Sequence, residues 1–368
     1  MHRKILTTLL ILPLVPSVGR AAEPTIVSVY ECRKCEAPPK IDGRLDDATW
    51  KELPAMEDFF QYWKATPQPP PLRTAARLCY DNAGLYMGVT LFEERVGKIK
   101  ATIKNRDNPL TWTDDCIEVM IDPHNKAESY MKFVTNPLEA RYEEKMTNGN
   151  LDSSWNVEGW KVAVSKASDA WFIEFFAPWG DLGVTPQDGD VWSFDLVRYG
   201  YSTGSFRGVS WSLGGSGAAP KSFGYLYFGR VMPLDQQKLN KLEQAIIPTK
   251  GQLFRVLLPR LVFTHTATGE WEKRPMADWV RDACDSASTS ATDAAEAVVA
   301  VTDAKEKNRL ESELDKRKSR LSHLLADAKG PALGDAGGFW LREDVLKLKK
   351  ELDELRWEAL VMGLVAAQ

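Results

Sequence analysis

The chain has 368 residues, 44% of them apolar and 27% charged, and a net charge of −4. That length and apolar content suit one large folded unit or two smaller ones. At this slight acidity nothing at chain level favours nucleic acid, so no nucleic-acid partner is expected.

The first residues, MHRKILTTLLILPLVPSVGRAAE, run from basic Arg3 and Lys4 through an apolar stretch, Ile5–Val15, to small residues near Ala21. This order predicts a cleaved signal peptide over residues 1–21 and a secreted or periplasmic mature chain. The apolar stretch is shorter than the roughly 20 residues needed to cross a bilayer, and no later segment is long enough, so no transmembrane segment is expected. Export permits disulfides. The five cysteines, Cys32, Cys35, Cys79, Cys116 and Cys284, leave at least one without an intramolecular partner. Cys32 and Cys35 form a C-x-x-C followed by Glu36, which excludes c-type haem attachment. A structural disulfide or buried thiols are expected, with the pairing open.

APPKIDGRLDDATW, Ala37–Trp50, offers Asp42-Gly43 as a turn and Asp46 or Asp47 as a cap for a helical turn carrying Trp50. Arg77–Tyr80 and Leu85–Phe92, separated by Asp81-Asn82-Ala83-Gly84, predict a hairpin. Further strands are predicted within Leu110–Asp122, Tyr130–Asn136, Ala140–Lys145, Trp160–Ser165, Trp171–Ala177, Trp192–Tyr199 and Phe223–Phe228. In LTWTDDCIEVMID, Ile117, Val119 and Ile121 share the face suited to a core; Trp112, Asp114, Cys116, Glu118, Met120 and Asp122 share the other. Trp50, Trp171 and Trp192 sit among apolar neighbours and are predicted core residues. Many short strands and few helical patterns predict an antiparallel, all-β sandwich over residues 22–233.

Residues 234–368 predict a mainly α-helical extension. A helix over Leu234–Ile247 should stop at Pro248, and a strand-like run, Gln252–Thr264, follows. A long helical stretch from Met276 to about Lys329 carries Leu310, Leu314, Leu321 and Leu324. After the break GPALGDAGG comes a last helix with Leu348, Leu352, Leu355, Ala359 and Met362. The pair predicts a helical hairpin or coiled coil that packs on the sandwich or mediates self-association.

The succession APPKIDGRLDDATW, DNAGLYMGV, WTDDCIEVMID, YMKFVTN, WFIEFFAPWGDLG, DGDVWSFDLVR and FGYLYFG resembles the family 9 carbohydrate-binding modules over about residues 29–229. The resemblance implies a β-sandwich with structural calcium and, in the sugar-binding members, a sugar ring clamped between two Trp side chains. It places Trp112 as the first plate and Trp211, in VSWSLGG, as the second. Glu118 and Asn136 would bond the sugar hydroxyls, and the partner would be an oligosaccharide or polysaccharide. Sugar-binding members tend to have an Arg two positions before that Asn, where this chain has Val134. Asp42, Asp46 and Asp47 are candidate calcium ligands, because calcium takes clustered hard oxygens. The chemistry suits a sugar: an aromatic plate covers its apolar face, and carboxylate or amide groups take the rim hydroxyls.

No G-x-S-x-G, H-E-x-x-H or P-loop is present, and His124, His265 and His323 lie in unrelated contexts. A non-catalytic binding protein is therefore expected. The alternatives are a secreted glycan-processing enzyme with two carboxylates across a cleft, a haem-binding electron-transfer sandwich with Met87, Met120 or Met131 as axial ligand, and a scaffold protein whose tail makes the contacts.

Overall fold

The computed structural model describes residues 22–215, 219–258, 260–330 and 338–366. The expected signal peptide and most of the GPALGDAGG break lie outside the described residues. In chain order the elements are β1 (Thr25–Lys34), α1 (Ala48–Glu52), β2 (Phe60–Gln61), β3 (Thr74–Tyr80), β4 (Gly84–Phe92), β5 (Cys116–Asp122), β6 (Tyr130–Thr135), β7 (Arg141–Thr147), β8 (Asn150–Asp152), β9 (Lys161–Lys166), β10 (Ala170–Pro178), α2 (Trp179–Leu182), β11 (Val191–Gly200), β12 (Arg207–Ser210) and β13 (Gly224–Phe228). There follow α3 (Gln236–Lys250), β14 (Phe254–Leu258), β15 (Leu261–His265), β16 (Trp271–Pro275), α4 (Met276–Val299), α5 (Ala304–Asp327) and α6 (Gly338–Ala366).

Two sheets face each other. The first runs β8-β7-β6-β5-β11-β13-β1, and the second β3-β4-β10-β9. β1 joins them by changing partners along its length: Val29–Cys32 pair with β13, and Arg33 and Lys34 pair with Cys79 and Tyr80 of β3. Alternation fills the space between the sheets. Ile117, Val119 and Ile121 of β5 and Phe194 and Leu196 of β11 meet Leu78 of β3, Met87 and Val89 of β4, and Ile173 and Phe175 of β10. Trp171 and Trp192 belong to this core, and Trp50 is buried on the outer side of the second sheet. Glu174 explains how the Ala37–Trp50 segment is held there. Its buried carboxylate accepts from the Asp42 and Gly43 amides and from Trp50 Nε1, each at 2.8 Å.

Strand pairing and packing cross the expected boundary at residue 233. β14 adds to the first half of β1 in parallel, Thr25–Ser28 against Phe254–Leu257. Leu242, Ala245 and Ile246 of α3 bury Val27, Val29, Tyr225 and Tyr227. The predicted run Gln252–Thr264 is a hairpin, β14–β15, continued by β16. The helix α3 continues past Pro248 to Lys250. Because Pro248 stands in the last turn, its missing N–H costs a single ladder bond.

The long helical stretch is two helices. The chain breaks after α4, and the Asp303 carboxylate caps α5 by accepting from the Glu306 amide at 2.9 Å. Leu310, Leu314 and Leu321 of α5 and Leu348, Leu352 and Leu355 of α6 are buried together with the Ala-rich face of α4. The leucines that suggested self-association therefore close a three-helix unit within one chain. That unit docks on the sandwich through Phe60, whose ring meets Phe339 and Trp340 edge-on at 5.6 Å, while Trp340 Nε1 donates to the Phe59 carbonyl at 2.9 Å. Among the described residues no helix is long and apolar enough to cross a membrane.

Candidate functional site

The first sheet has an outer face, opposite the core. Register places Glu118 of β5, Lys132 of β6, Tyr142 and Glu144 of β7, and Tyr199 of β11 on it. These residues are bonded to one another. Lys132 Nζ lies 2.6 Å from Glu144 and 4.0 Å from Glu118. Tyr142 donates to Glu144 at 2.6 Å, and Tyr199 donates to Tyr62 at 2.9 Å and to Glu118 at 3.3 Å. Burial raises the Glu118 carboxyl above its ordinary range, against the opposing pull of Lys132 and Tyr199. Burial also works against the charge on Lys132, but Glu118 and Glu144 outweigh it and hold the ammonium above its ordinary value.

Aromatic rings border this polar floor. Phe206 packs against Tyr62, Tyr199 and Tyr201 with ring centroids 5.3–6.1 Å apart, and Tyr62 meets Trp63 edge-on at 5.7 Å. The Tyr201 hydroxyl donates to the Trp112 carbonyl at 3.4 Å. Trp63, Trp112 and Phe206 are 65%, 47% and 50% exposed. Trp63 and Phe206 meet through Tyr62, and Trp112 joins them through its main chain at Tyr201; exposed large apolar side chains at one edge of a sheet are a recognition feature. Trp63 adds a second sign: its φ is +61°, a left-handed conformation that bulky residues rarely adopt. Gly208 makes the close packing possible, since a Cβ there would lie 2.8 Å from both the Phe206 ring and Tyr62.

Trp112 is not on the strand. It stands in a 3-10 turn, Thr111–Thr113, ahead of β5. Asp114 anchors that turn by accepting from the Thr102 and Ile103 amides and from Asn136 Nδ2 at 2.7–2.9 Å. Asp115 does the same with the amides of Lys100 and Tyr201. The three carboxylates beside Trp112 thus divide: Asp114 and Asp115 position the plate, and Glu118 reaches the floor.

Two of the predicted contacts are corrected. The Trp211 ring is 4% exposed, lies edge-on to Phe194 at 5.7 Å, and occupies space over Gly224, where a Cβ would sit 2.9 Å from it. The recess that reaches it holds about 30 Å³, the room of one water molecule rather than a pyranose. Trp211 is a core residue, and it forms no clamp with Trp112. Asn136 is fully buried and fully bonded: Nδ2 donates to Ile103 O and Asp114, and Oδ1 accepts from the Leu138 and Ala140 amides. It has no capacity left for a sugar hydroxyl.

Two of the candidate calcium ligands serve as turn residues. Asp42 accepts from the Arg44 amide and Asp47 from the Lys40 amide, as turn residues do. Among the described residues no three Asp, Glu, His or Cys side chains gather as a metal site. Met87 and Met131 are packed in the inter-sheet core and Met120 in the outer-face cluster, none facing a haem-sized space. Arg198, fully buried, lies 3.7 Å from the Glu93 carboxylate.

Sequence reasoning missed Tyr62, Trp63, Tyr199, Tyr201 and Phe206. Their signal was present as aromatic density in FFQYW and RYGYSTGSF. Nothing in the spacing says that the two-residue strand β2 pairs with β12, which is what brings the segments together.

The chain is thus a β-sandwich with aromatic side chains bordering a polar face of its first sheet. Residues 41–213 match the family described as carbohydrate family 9 binding domain-like. The part that follows has no family match. No curated protein matches the chain. Among solved structures, the chain is similar to a carbohydrate-binding module family 9 from Caldicellulosiruptor kristjanssonii in complex with glucose, at 14% identity over 57% of this chain and 100% of that one, with a TM-score of 0.40. It is similar to the same organism's module in complex with cellotriose, at 14% identity, 58% and 97% coverage and a TM-score of 0.40. A proposed carbohydrate-binding protein from Bacteroides uniformis shows 17% identity, 55% and 99% coverage and a TM-score of 0.43.

Proposed function

We propose that the protein is an exported, non-catalytic carbohydrate-binding protein whose sugar lies on the outer face of the first sheet. The observation that carries this reading is the joining of exposed Trp63, Trp112 and Phe206 to the bonded floor of Tyr199, Glu118, Lys132 and Glu144. The rings offer flat apolar surface to the C–H faces of a pyranose. Glu118, Glu144 and Lys132 offer charge-assisted hydrogen bonds to its hydroxyls, each contributing at best about 1.5–3 kcal/mol. A recess of about 980 Å³ elsewhere on the molecule carries Tyr80 as the sole aromatic side chain in its wall and lacks such a stacking surface. The family of the sandwich supports a carbohydrate as the ligand class. The basic-then-apolar start of the chain supports export.

Non-catalysis is supported by the floor itself. Lys132 lies 2.6 Å from Glu144 and 4.0 Å from Glu118 as their counter-ion, so neither carboxyl is an unpartnered acid or base. Calorimetric titration with a panel of gluco-, xylo- and manno-oligosaccharides should give saturable binding to at least one, with the oligosaccharide recovered intact by chromatography. Release of new reducing ends at turnover rates would replace binding with hydrolysis.

A further inference from the structure

The cysteine pairing left open by the sequence has a geometric answer. Three-residue spacing at the end of a strand sends Cys32 and Cys35 to opposite sides. Cys32 packs with Tyr30 in the core between the sheets, whereas Cys35 joins Cys79, Trp50, Leu53 and Tyr86 on the outer side of the second sheet. β1 and β3 run side by side here, with Arg33 opposite Cys79, and the Cys35 amide donates to the Tyr80 carbonyl at 2.8 Å. Cys35 Sγ donates to the Tyr80 carbonyl at 3.4 Å, which holds its side chain beside Cys79 in the same buried cluster. All five cysteines are free thiols in the structure, so this contact is an unlinked pair rather than a bond already made.

We propose that Cys35 and Cys79 are a thiol–disulfide site: Cys35 is the attacking sulfur, Cys79 the resolving one, and a low-molecular-weight disulfide the oxidant. Their accessibility differs in the way this requires. Cys35 is half-buried and lines the 980 Å³ recess together with Arg33, Lys34, Arg230, Asp81 and Asp188, while Cys79 is fully buried behind it. The electrostatics agree. Interaction with Cys79 lowers the Cys35 thiol below its ordinary value, ahead of burial and Asp81, which raise it; interaction with Cys35 and burial push Cys79 up.

The chemistry balances. The Cys35 thiolate attacks one sulfur of the small disulfide, whose S–S bond breaks and releases one thiolate that takes a proton. Cys79 then gives up its proton and attacks the Cys35 sulfur, and the second small thiol leaves. Two protein thiols are oxidised, and one external disulfide is reduced to two thiols. The bond closes a ring through residues 35–79, which contains α1, β2 and Trp63. A cross-link across a loop of that length restricts the unfolded chain, so the oxidised protein should melt several degrees above the reduced one.

The test is non-reducing peptide mapping of the full chain after incubation with oxidised glutathione and alkylation under denaturing conditions. The expected result is one Cys35–Cys79 linked peptide, with Cys32, Cys116 and Cys284 alkylated. C79S should hold Cys35 as a persistent mixed disulfide with glutathione, and C32S should keep the link. A Cys32–Cys35 link, or five alkylated thiols in the parent protein after oxidation, overturns the proposal without requiring any variant to fold.

Discussion

Trp63→Ala and Trp112→Ala each weaken oligosaccharide binding by about ten- to a hundredfold, while thermal stability stays within about 0.5 kcal/mol of the parent. Both rings are roughly half exposed or more, so truncating them empties no core space. Little of what holds the fold goes with them: Trp63 meets Tyr62 only edge-on, and Trp112 is held by its main chain, which alanine keeps. What disappears is the flat apolar surface against which a sugar would be desolvated, and a central aromatic contact of this kind contributes about 1.4–2.8 kcal/mol to a binding site. Calorimetry of binding beside calorimetry of unfolding separates the two effects. Equal losses of affinity and stability would mean that these rings support the fold instead.

Trp211→Ala gives the opposite pattern. A fully buried Trp replaced by alanine costs about 3–5 kcal/mol, and for a chain of this size that lowers the melting temperature by roughly 10 °C. The ring is held by Phe194 on one side and by the space that Gly224 leaves on the other, and neither neighbour can move in to fill the gap. The backbone is fixed as well: the Trp211 amide donates to Leu196 O, and Ser28 Oγ donates to Trp211 O at 3.0 Å. In material that remains folded, affinity for the oligosaccharide should be nearly unchanged. Scanning calorimetry of the variant checks the first statement and a titration well below its melting point the second.

The contrast between these residues shows what the sequence could and could not convey. Strand positions were legible because alternation is local: Ile117, Val119 and Ile121 face the core as their spacing predicts, and Glu118 faces outward. The parity that extended this pattern back to Trp112 failed, because Asp114 and Asp115 accept hydrogen bonds from the amides of Lys100, Thr102, Ile103 and Tyr201 and a turn precedes the strand. Trp211 stood in a Gly-rich, loop-like context, and its burial depends on Gly224 and Phe194, which the local sequence around it does not contain. The border of the site was illegible for the same reason on a larger scale. Trp63 and Phe206 meet the same tyrosines only because β2 finds β12 across more than a hundred residues. In the tail, the leucine spacing identified the helices, but the Asp303 cap that divides the first stretch into α4 and α5 is one side chain in a region of many acids.

The most direct measurement is a two-dimensional NMR titration that follows the tryptophan indole N–H resonances as the best oligosaccharide from the panel is added. With the sugar on the outer face of the first sheet, Trp63 and Trp112 shift saturably with one shared dissociation constant, while Trp211, Trp171 and Trp192 stay in place. Shifts confined to the buried indoles, or perturbations that map to the recess around Cys35 and Arg230 with Trp63 and Trp112 unmoved, would contradict that placement.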